Sequence, residues 1–366
     1  MAVAERVEVA VTGVRARAYT IPTDRPESDG TMEWSSTTLV LVEVDGGGET
    51  GVGWTYGAAA GAGLIEDLLE PVVRGTSPFD VGGTQLAMRV ALRNAGYPGV
   101  GSSAVSAVDV ALWDLKAKLL DVSLVVLLGA AHDAVPVYGS GGFCSYTDAE
   151  LAAQLEGWVS QGIPRVKMKV GRDPSRDPAR VRTARAAIGE QAELYVDANG
   201  ALDVKSAVRA ADDYAHLGVT WFEEPVSSLD LDGLRRLRAL LPAGMEVAAG
   251  EYAYTPNDFL LLAGAVDCLQ ADATRCGGVT GLLGAAAVSA AHELDLSGHT
   301  APSIHAHALC AVPRLRHLEW FHDHVAIERR FFDGFLEPRD GAVHPDRSRP
   351  GLGVEPRHAD LERFAA

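Results

Sequence analysis

RVKMKV, residues 165–170, is one of eight short strand-like segments that decide the fold of this chain. Helix-like stretches such as 148–160, 205–216 and 279–293 separate these segments. Strands and helices that alternate at this spacing predict parallel strands joined by crossover helices, and eight strands predict a closed (β/α) barrel rather than an open sheet. The eight segments are 135–141, 165–170, 193–200, 220–225, 246–251, 268–278, 295–300 and 317–321.

The first part of the chain does not show this alternation of single strands and helices. TTLVLVEVDGGGETGVGWTYG (37–57) reads as two strands around a turn at Gly46 to Gly48, which predicts an antiparallel hairpin. SAVSAVDVALWDLKAKLLD (103–121) repeats apolar residues at steps of three and four, which predicts a helix. We therefore predict three parts, which are an α+β domain over 1–132, the barrel over 133–324, and a C-terminal segment over 325–366 that packs back on the first domain.

The composition argues against several classes of partner. Of the 366 residues 22% are charged, and the formal net charge is −17, so nucleic acid or an anionic membrane surface would repel the chain. The first residues, MAVAERVEVAVTG, lack the long apolar core of a secretory signal or membrane anchor, so we expect a cytoplasmic protein. The four cysteines form no CxxC pair and are expected to be small buried residues. An acidic small-molecule substrate is compatible with this charge if local positive groups receive it.

Ionisable residues stand at the ends of nearly all the predicted strands. In a parallel barrel the carboxyl ends of the strands and the loops after them form one mouth, where reactive groups collect. A single acidic residue there would more often be a helix cap or a solvated group, but the recurrence predicts one converging site. In chain order these residues are Lys169, Asp197, Glu223 or Glu224, Glu251, Asp272, His299 and Glu319.

Three carboxylates among these residues predict a metal site. Asp197, Glu223 and Glu251 end neighbouring strands, and oxygen ligands with room for water and substrate suit Mg²⁺ better than Zn²⁺. Strand alternation lets only one of Glu223 and Glu224 face the mouth, and the pattern alone leaves that choice open.

Lys167 and Lys169 lie on one face of their strand. One interpretation is an exposed edge strand that lysines protect from pairing. The other is chemical, because a second ammonium and a nearby metal ion would both lower the pKa of Lys169, which would let it act as a general base beside Lys167. Across the mouth, Asp272 would orient His299 as a second acid/base group. The carboxylates on the following strands favour the chemical interpretation.

Six ordered motifs carry a resemblance to a known family. They are KMK, VDANG, FEEP, AGE, DATRCGGVTG and SGH, and the helical segment over 106–130 is similar to the one that precedes the barrel in the same family. In this order they resemble the mandelate racemase branch of the enolase superfamily, over nearly the whole chain. The resemblance implies a modified TIM barrel, (β/α)7β, with an N-terminal α+β capping domain, Mg²⁺ at the barrel mouth and a homo-oligomeric assembly.

The resemblance also implies a role for each matching residue. The first Glu of FEEP is the metal ligand, which selects Glu223 over Glu224. Glu319 matches a carboxyl group that hydrogen-bonds the substrate carboxylate when protonated, and Asn199 matches a position that often touches substrate. The remaining matches are Asp197 and Glu251 as metal ligands, Lys169 with Lys167 as the base and its neighbour, and His299 with Asp272 as the dyad.

The shared reaction step of the family is removal of the proton next to a carboxylate, which gives an enediolate stabilised by magnesium. If His299 then protonates a hydroxyl leaving from the next carbon, a sugar acid becomes a 2-keto-3-deoxy acid, and we favour this dehydration. If His299 returns a proton to the same carbon, the protein is a racemase or epimerase of a 2-hydroxy acid. A Schiff-base lyase acting through Lys169 and a non-catalytic barrel are weaker alternatives.

Two loops of the capping domain, 22–34 and 54–57, are expected to close over the far end of the substrate. In them Asp29, Glu33 and Tyr56 can hydrogen-bond polyol hydroxyls, while Trp34 and Met32 can equally line an apolar pocket.

Two histidine pairs leave further alternatives open. His305 with His307 and His322 with His324 could chelate zinc or be solvated loop residues, and the second pair could instead line the substrate pocket.

Overall fold

A three-stranded antiparallel sheet begins the part of the chain that the computed structural model describes, residues 9–366. Its strands are β1 (Val11–Ser28), β2 (Glu33–Gly46) and β3 (Glu49–Tyr56). The predicted hairpin over 37–57 is the β2–β3 pair, and its turn is at Gly47 and Gly48, whose φ angles of +61° and +87° suit glycine. The sequence analysis did not identify β1.

Helices cover one face of this sheet. The predicted helix over 103–121 is α4, which packs directly on β3. Gly51 and Gly53 permit the close approach, because a Cβ on them would lie 2.1 Å from the carbonyl oxygen of Ala111 and 2.2 Å from that of Ala107. The helices between β3 and the barrel are α1 (Ala60–Leu64), a π-helical turn (Ile65–Leu69), α2 (Glu70–Val73), α3 (Val81–Ala91), α4 (Val100–Leu119) and α5 (Leu124–Leu128).

Eight parallel strands then form a closed barrel, as predicted. Each pairs with the next in chain order, and the last strand closes the barrel on the first through the pairing of Leu318 with Val137. The strands are β4 (Val135–Gly141), β5 (Arg165–Lys169), β6 (Glu193–Asp197), β7 (Val219–Glu223), β8 (Glu246–Ala249), β9 (Cys268–Ala271), β10 (Asp295–Gly298) and β11 (Leu315–Phe321).

Helices separate all the barrel strands and surround them. The seven between strands are α6 (Asp148–Ser160), α7 (Asp177–Ile188), α8 (Val204–Ala215), α9 (Leu231–Leu240), α10 (Pro256–Ala263), α11 (Gly278–Ala291) and α12 (Pro302–Ala308), the last of which runs into a 3₁₀ turn (Leu309–Ala311). An eighth helix, α13 (His322–Phe331), follows β11 directly. This arrangement agrees with the implied (β/α)7β barrel and capping domain.

Side chains fill the barrel beneath its mouth. Tyr138, Tyr195 and Trp221 contact one another or His317 inside the barrel, and all four are buried. Tyr195 and Trp221 stand two residues before the last residues of their strands, Asp197 and Glu223, so these next inward-facing positions lie one layer closer to the mouth. The packed layer therefore forms the floor of the site.

The last part of the chain runs back along the molecule. It contains β12 (Phe332–Asp333), β13 (Ala342–Val343), β14 (Glu355–Pro356), α14 (His358–Leu361) and a 3₁₀ turn (Glu362–Phe364). β13 pairs with β4, and the backbone N–H of Ala366 donates to Ala18 on β1. The boundaries at 132 and 324 stay predictions. Within residues 9–366, no helix is both long and apolar enough to cross a membrane.

Candidate active site

The two lysines of β5 point into the barrel. Lys167 is fully buried, with its Nζ 2.5 Å from Glu223 Oε1, 2.8 Å from Glu319 Oε1 and 3.6 Å from Asp197 Oδ2. Lys169 stands one layer nearer the mouth, and its Nζ donates to Asp197 Oδ2 at 2.5 Å. These contacts come from strands on several sides of the barrel, so the edge-strand interpretation is wrong.

Both lysines are held in the charged form by their carboxylate neighbours. Burial is the largest single influence and lowers the pKa of Lys169, but Asp197, Glu319 and Glu251 together raise it above its ordinary value, even though Lys167 opposes this. The pKa of Lys167 is raised in the same way by Glu223 and Glu319 against burial. The sequence analysis expected the opposite direction for Lys169, because the strand pattern shows its lysine neighbour but not the carboxylate in contact with its Nζ.

The three carboxylates expected to hold a metal ion lie together. Asp197, Glu223 and Glu251 are buried, and one oxygen from each lies within 4.8 Å of the others. The second oxygens are occupied, because Trp221 Nε1 donates to Glu223 Oε2 at 2.9 Å and the backbone N–H of Asn199 donates to Asp197 Oδ1 at 2.8 Å. Glu224 is outside the group and has a positive φ of 37°.

This group fits a magnesium ion. All of its donors are carboxylate oxygens, which a hard cation prefers, and it places three buried acidic groups around one point. The positive charge that balances them here comes from Lys167, Lys169 and His299, each of which contacts at least one of the three. A divalent ion would satisfy the same oxygens and release these groups for other partners.

The His299–Asp272 pair is formed as predicted from the order of the strands. His299 Nδ1 lies 2.8 Å from Asp272 Oδ2, and the other oxygen of Asp272 accepts from the backbone N–H of Thr274 at 2.6 Å. His299 Nε2 faces the mouth, 3.1 Å from Glu251 Oε2 and 3.4 Å from Glu319 Oε2. Burial lowers the pKa of His299, but Glu251, Glu319 and Asp272 raise it to about 10 overall. The imidazole is therefore a proton donor in this arrangement.

Glu319 connects the two sides of the site. Its Oε1 accepts from the hydroxyl of Ser140 at 2.6 Å and contacts Lys167, and its Oε2 is buried without a hydrogen-bond partner among the described residues. Burial raises the pKa of Glu319, but Lys167 and His299 lower it to about 2. Glu319 is thus ionised here, whereas the resemblance implies a protonated form when a substrate carboxylate is present.

Arg275 is a member of this site that the sequence analysis missed. Its guanidinium lies 3.4 Å from Asp272 Oδ2 and 3.5 Å from Glu251 Oε1, so it connects the dyad acid to a metal-binding carboxylate. It also lies over the ring of Tyr252, 5.0 Å from the centroid. The signal was available in DATRCGG, where Arg275 stands three residues after Asp272.

The other expected substrate contacts, from the capping domain and from the barrel, are more dispersed. Tyr56 stacks on His324 with ring centroids 3.5 Å apart, and its hydroxyl donates to Glu328 at 3.1 Å. Glu33 is exposed and pairs with Arg172. Asn199 has a φ of +45° and a buried Oδ1 without a partner among the described residues.

Most of the predicted loop over 22–34 is strand, since β1 extends to Ser28 and β2 begins at Glu33, and the turn between them touches the mouth. A Cβ on Gly30 would lie 2.4 Å from the carbonyl oxygen of Ala198 and 2.8 Å from that of Val170. These two residues directly follow Asp197 and Lys169. Trp34, on the same side, packs edge-on against Phe143. The loop therefore covers the site in this conformation.

Three of the four paired histidines are buried and are therefore not solvated loop residues. His305 and His307 are buried in α12, where His305 bonds backbone groups at Thr300 and Ala273 and His307 Nδ1 accepts from the backbone N–H of Val125. His324 is also buried, against Tyr56. His322 alone of the four is partly exposed, at 30% of its side chain.

Comparison with known proteins places this geometry in a family. Residues 10–129 match the model described as the mandelate racemase/muconate lactonizing enzyme N-terminal domain, and residues 150–360 match the enolase C-terminal domain-like model. The chain belongs to the mandelate racemase/muconate lactonizing enzyme family. This confirms the resemblance to the enolase superfamily.

Curated members of the family with similar sequences act on sugar acids. A 3,6-anhydro-alpha-L-galactonate cycloisomerase of Streptomyces coelicolor is 33% identical, over 96% of this chain and 97% of that protein. An L-talarate/galactarate dehydratase of Salmonella typhimurium is 32% identical, over 84% of this chain and 77% of that protein.

Solved structures of the family superpose closely. A mandelate racemase/muconate lactonizing enzyme-like protein from Rubrobacter xylanophilus has a TM-score of 0.96 and 52% identity, covering 98% of this chain and 100% of that one. A racemase from Streptomyces coelicolor, solved with bound magnesium, has a TM-score of 0.91 and 32% identity, covering 97% and 100% of the two chains. Magnesium in that neighbour agrees with the carboxylate group at the mouth of this barrel.

Proposed function

We propose that this protein is a magnesium-dependent sugar-acid dehydratase. The observation that carries the proposal is the placement of two proton-transfer groups around the carboxylate trio, with Lys169 Nζ against Asp197 and His299 Nε2 against Glu251. One group can take a proton from the carbon next to the substrate carboxylate while the other faces the leaving hydroxyl. Relatives named for talarate, galactarate and galactonate support a sugar acid as the substrate.

Asp197, Glu223 and Glu251 are the residues that would hold magnesium. When bound, the ion supplies positive charge that stabilises negative charge on the carboxylate oxygens of the substrate. Lys167, buried between Glu223 and Glu319, remains charged and adds to the positive potential on the same side. Its pairing also fixes the orientation of both carboxyl groups.

The Nζ atom of Lys169 then takes the proton from the carbon next to the substrate carboxylate. To do so it must be neutral, and the contact with Asp197 is what keeps it charged in this structure. Engaging Asp197 as a metal ligand would weaken that contact, and the nearby ammonium of Lys167 would further disfavour the charged form. Lys169 thus acts as a base only when Asp197 is engaged as a metal ligand.

His299 donates the proton that completes the loss of water. Its Nε2 carries a proton towards the mouth, and Asp272 accepts from Nδ1 and stabilises the imidazolium. As the carbon–oxygen bond to the leaving hydroxyl breaks, this proton converts the hydroxide into water, and the resulting enol becomes a 2-keto-3-deoxy acid. Glu319 and Asn199, each with a buried oxygen lacking a partner among the described residues, are proposed as substrate contacts together with Tyr56, Trp34, Glu33 and His322.

Racemisation or epimerisation is the second candidate. The same placement of Lys169 and His299 at opposite ends of the trio would let each group exchange a proton with one face of a single carbon, and a neighbour of 32% identity is named a racemase. Cycloisomerisation is a third outcome from the same starting step, supported by the relative that matches 96% of the chain.

A screen of mono- and diacid sugars with Mg²⁺ separates these outcomes. Dehydration predicts a 2-keto acid and the loss of one water by mass spectrometry, with activity abolished by EDTA and absent in Glu223→Gln. Deuterium entering a 2-hydroxy acid without loss of water would instead establish the racemase. An isomer of unchanged mass that arises by opening or closing a ring would establish the cycloisomerase. Activity that persists in EDTA and is trapped by borohydride would identify the Schiff-base lyase.

A further inference from the structure

A second cluster of metal-binding residue types lies where the capping sheet meets the barrel. Glu27 near the end of β1 joins His322 and Asp323 at the start of α13, and we refer to these three residues as the interface cluster. One ligand atom from each lies within 4.8 Å of the others. None of the three belongs to the Asp197, Glu223 and Glu251 group. The interface cluster also differs in chemistry, because it includes an imidazole.

Two buried oxygens of the interface cluster lack a hydrogen-bond partner. Trp34 Nε1 donates to Glu27 Oε2 at 3.1 Å and to Asp323 Oδ2 at 3.0 Å, and Thr37 Oγ1 also donates to Asp323 Oδ2. Glu27 Oε1 and Asp323 Oδ1 remain without a partner among the described residues, although Glu27 is fully buried and Asp323 is 95% buried. Leaving a buried polar atom unpaired costs about 1–3 kcal/mol, so these two oxygens call for a ligand.

The cluster borders a cavity that can hold one. The cavity has a volume of about 130 Å³, room for a hydrated ion, and Glu27, His322 and Asp323 line it together with Asp24 and Arg330. His322 Nε2 is 4.0 Å from Glu27 Oε1 and 3.9 Å from Asp24 Oδ2, and its partial exposure provides an entrance.

No lysine or arginine of residues 9–366 neutralises the two carboxyl groups through an ion pair. Arg330 lines the cavity, but its guanidinium lies over the rings of Phe331 and Phe364. Two buried carboxyl groups this close to each other cannot both be ionised without a cation, so without one the pair would share a proton. A divalent ion would replace that proton.

The geometry points to a zinc site formed by Glu27, His322 and Asp323. One imidazole nitrogen with two carboxylate oxygens suits Zn²⁺, whereas Mg²⁺ prefers oxygen ligands and retains several waters. Ligands about 2.0 Å from a tetrahedral ion lie about 3.3 Å apart, so the 4.0 Å between His322 Nε2 and Glu27 Oε1 closes with a small movement of the partly exposed ring. Water from the cavity completes the coordination.

The role of such an ion is structural. Glu27 lies near the end of β1, just before the turn over 29–32, and Asp323 is in the first turn of the helix that follows the last barrel strand. A zinc ion between them would attach the base of the turn over 29–32 to the barrel. It would leave Asp197, Glu223 and Glu251 free for magnesium, and it would make His322 a zinc ligand in place of the substrate contact proposed above.

The test is zinc binding in the presence of saturating magnesium. Chelator-treated protein is dialysed against excess Mg²⁺, which fills the all-oxygen site, and then titrated with Zn²⁺. We expect one zinc per chain, an affinity at least tenfold weaker in Glu27→Gln and His322→Ala, and no change in His358→Ala. His358 is the matched control, because it forms a surface pair with Glu43 at 3.2 Å without a third ligand. X-ray absorption at the zinc edge should show one histidine nitrogen and several oxygen atoms as ligands.

Two results would overturn the proposal. If Glu223→Gln loses the zinc and His322→Ala keeps it, the ion occupies the catalytic trio. If wild-type protein binds no zinc above saturating magnesium, the interface cluster is a carboxyl pair sharing a proton. The melting temperature gives an independent readout, because zinc should raise it in wild type and in His358→Ala but not in His322→Ala, whose changed side chain is partly exposed and should not prevent folding.

Discussion

The protonation state of Lys169 depends on one hydrogen bond, because the charged form is stabilised by Asp197 and only the neutral form can act as a base. Its Nζ donates to Asp197, a carboxylate that is also expected to bind magnesium, so the proton affinity of the base and the occupation of the metal site are linked through one side chain. Lys167, only two residues away, has no such freedom, because three carboxylates surround it. The two lysines therefore have different roles despite their identical chemistry.

Replacing the two proton-transfer groups should have opposite stereochemical effects. Lys169→Ala should abolish solvent exchange at the carbon next to the carboxylate from one epimer of the substrate, and His299→Asn should abolish it from the other, because each group faces one side of that carbon. Deuterium incorporation followed by NMR measures both. Lys205→Ala, on an exposed position of α8, is the control. Wild-type exchange in either site variant would contradict the two-base assignment.

Arg275 should act as a positioning residue. It contacts both Asp272 and Glu251, so Arg275→Met should lower kcat/KM by about 10–100-fold and raise the magnesium concentration needed for half-maximal activity. Arg275→Lys should recover part of the loss. The matched control is Arg316→Met, because Arg316 also pairs with two carboxylates, Glu246 and Asp295, but at the opposite end of the barrel. An unchanged magnesium requirement in Arg275→Met would show that the residue has only a packing role.

At the scale of elements, the contact of α4 with β3 depends on residues without a Cβ. Gly53→Ala would place a methyl group 2.2 Å from the carbonyl oxygen of Ala107, which should force the helix away and lower the free energy of unfolding by about 1–3 kcal/mol. Urea denaturation measures the change. Gly61→Ala is a control of opposite sign, since it lies in α1 with only a side-chain carbon at 3.7 Å and should be neutral or stabilising. Equal stability of both variants would contradict this account.

The barrel strands could be predicted because each carries its own local signal. RVKMKV and ELYVDANG are short apolar runs bounded by proline, glycine or a polar turn, and helical segments separate them. Strand alternation placed Lys167 and Lys169 on one face, and the carboxylates that end the following strands indicated that this face points into the barrel. The ordering of the carboxylates along the chain similarly predicted that they would meet at one mouth.

What could not be predicted depends on contacts between distant segments. β1 was missed although residues 11–28 form its long pairing with β2, because its polar residues and prolines obscure the alternation. The interface cluster joins Glu27 to His322 and Asp323 across almost the whole chain, and the sequence marked only the histidine beside Asp323, with nothing to indicate that Glu27 would meet it. The contact with Asp197 that raises the pKa of Lys169 was not predicted for the same reason, since Asp197 is 28 residues away in sequence.

At the scale of the whole molecule, Asp109 links the capping domain to the barrel. It is buried on α4 and accepts from the backbone N–H of Thr280 at 3.0 Å and from its hydroxyl at 2.6 Å, on α11. Burial raises the pKa of Asp109 to about 7. The folded protein therefore retains a proton that the unfolded chain loses above its lower, ordinary pKa.

This linkage predicts a stability that falls as pH rises. Between about pH 4 and 7 the folded state binds one more proton at Asp109 than the unfolded state, so the free energy of unfolding should decrease with pH by ~1.4 kcal/mol per unit from this group. Asp109→Asn should remove that contribution while keeping the contacts to Thr280. Urea denaturation at several pH values measures the slope.

The exposed residue Asp232 provides the control for this experiment. Asp232→Asn should leave the pH dependence as it is in wild type. An Asp109→Asn variant with the wild-type slope would show that Asp109 is ionised in the folded protein across this range.

Closure of the barrel has a consequence for synthesis of the chain. β4 pairs with β11, whose residues come about half the chain length later, so every intermediate made before residue 321 exposes unpaired strand edges at β4 and at the last strand formed. Open edges of apolar strands recruit other chains, and non-local pairings form slowly. Nascent chains should therefore depend on chaperones, and forms truncated before residue 321 should form inclusion bodies. The completed barrel has no unpaired edge strand.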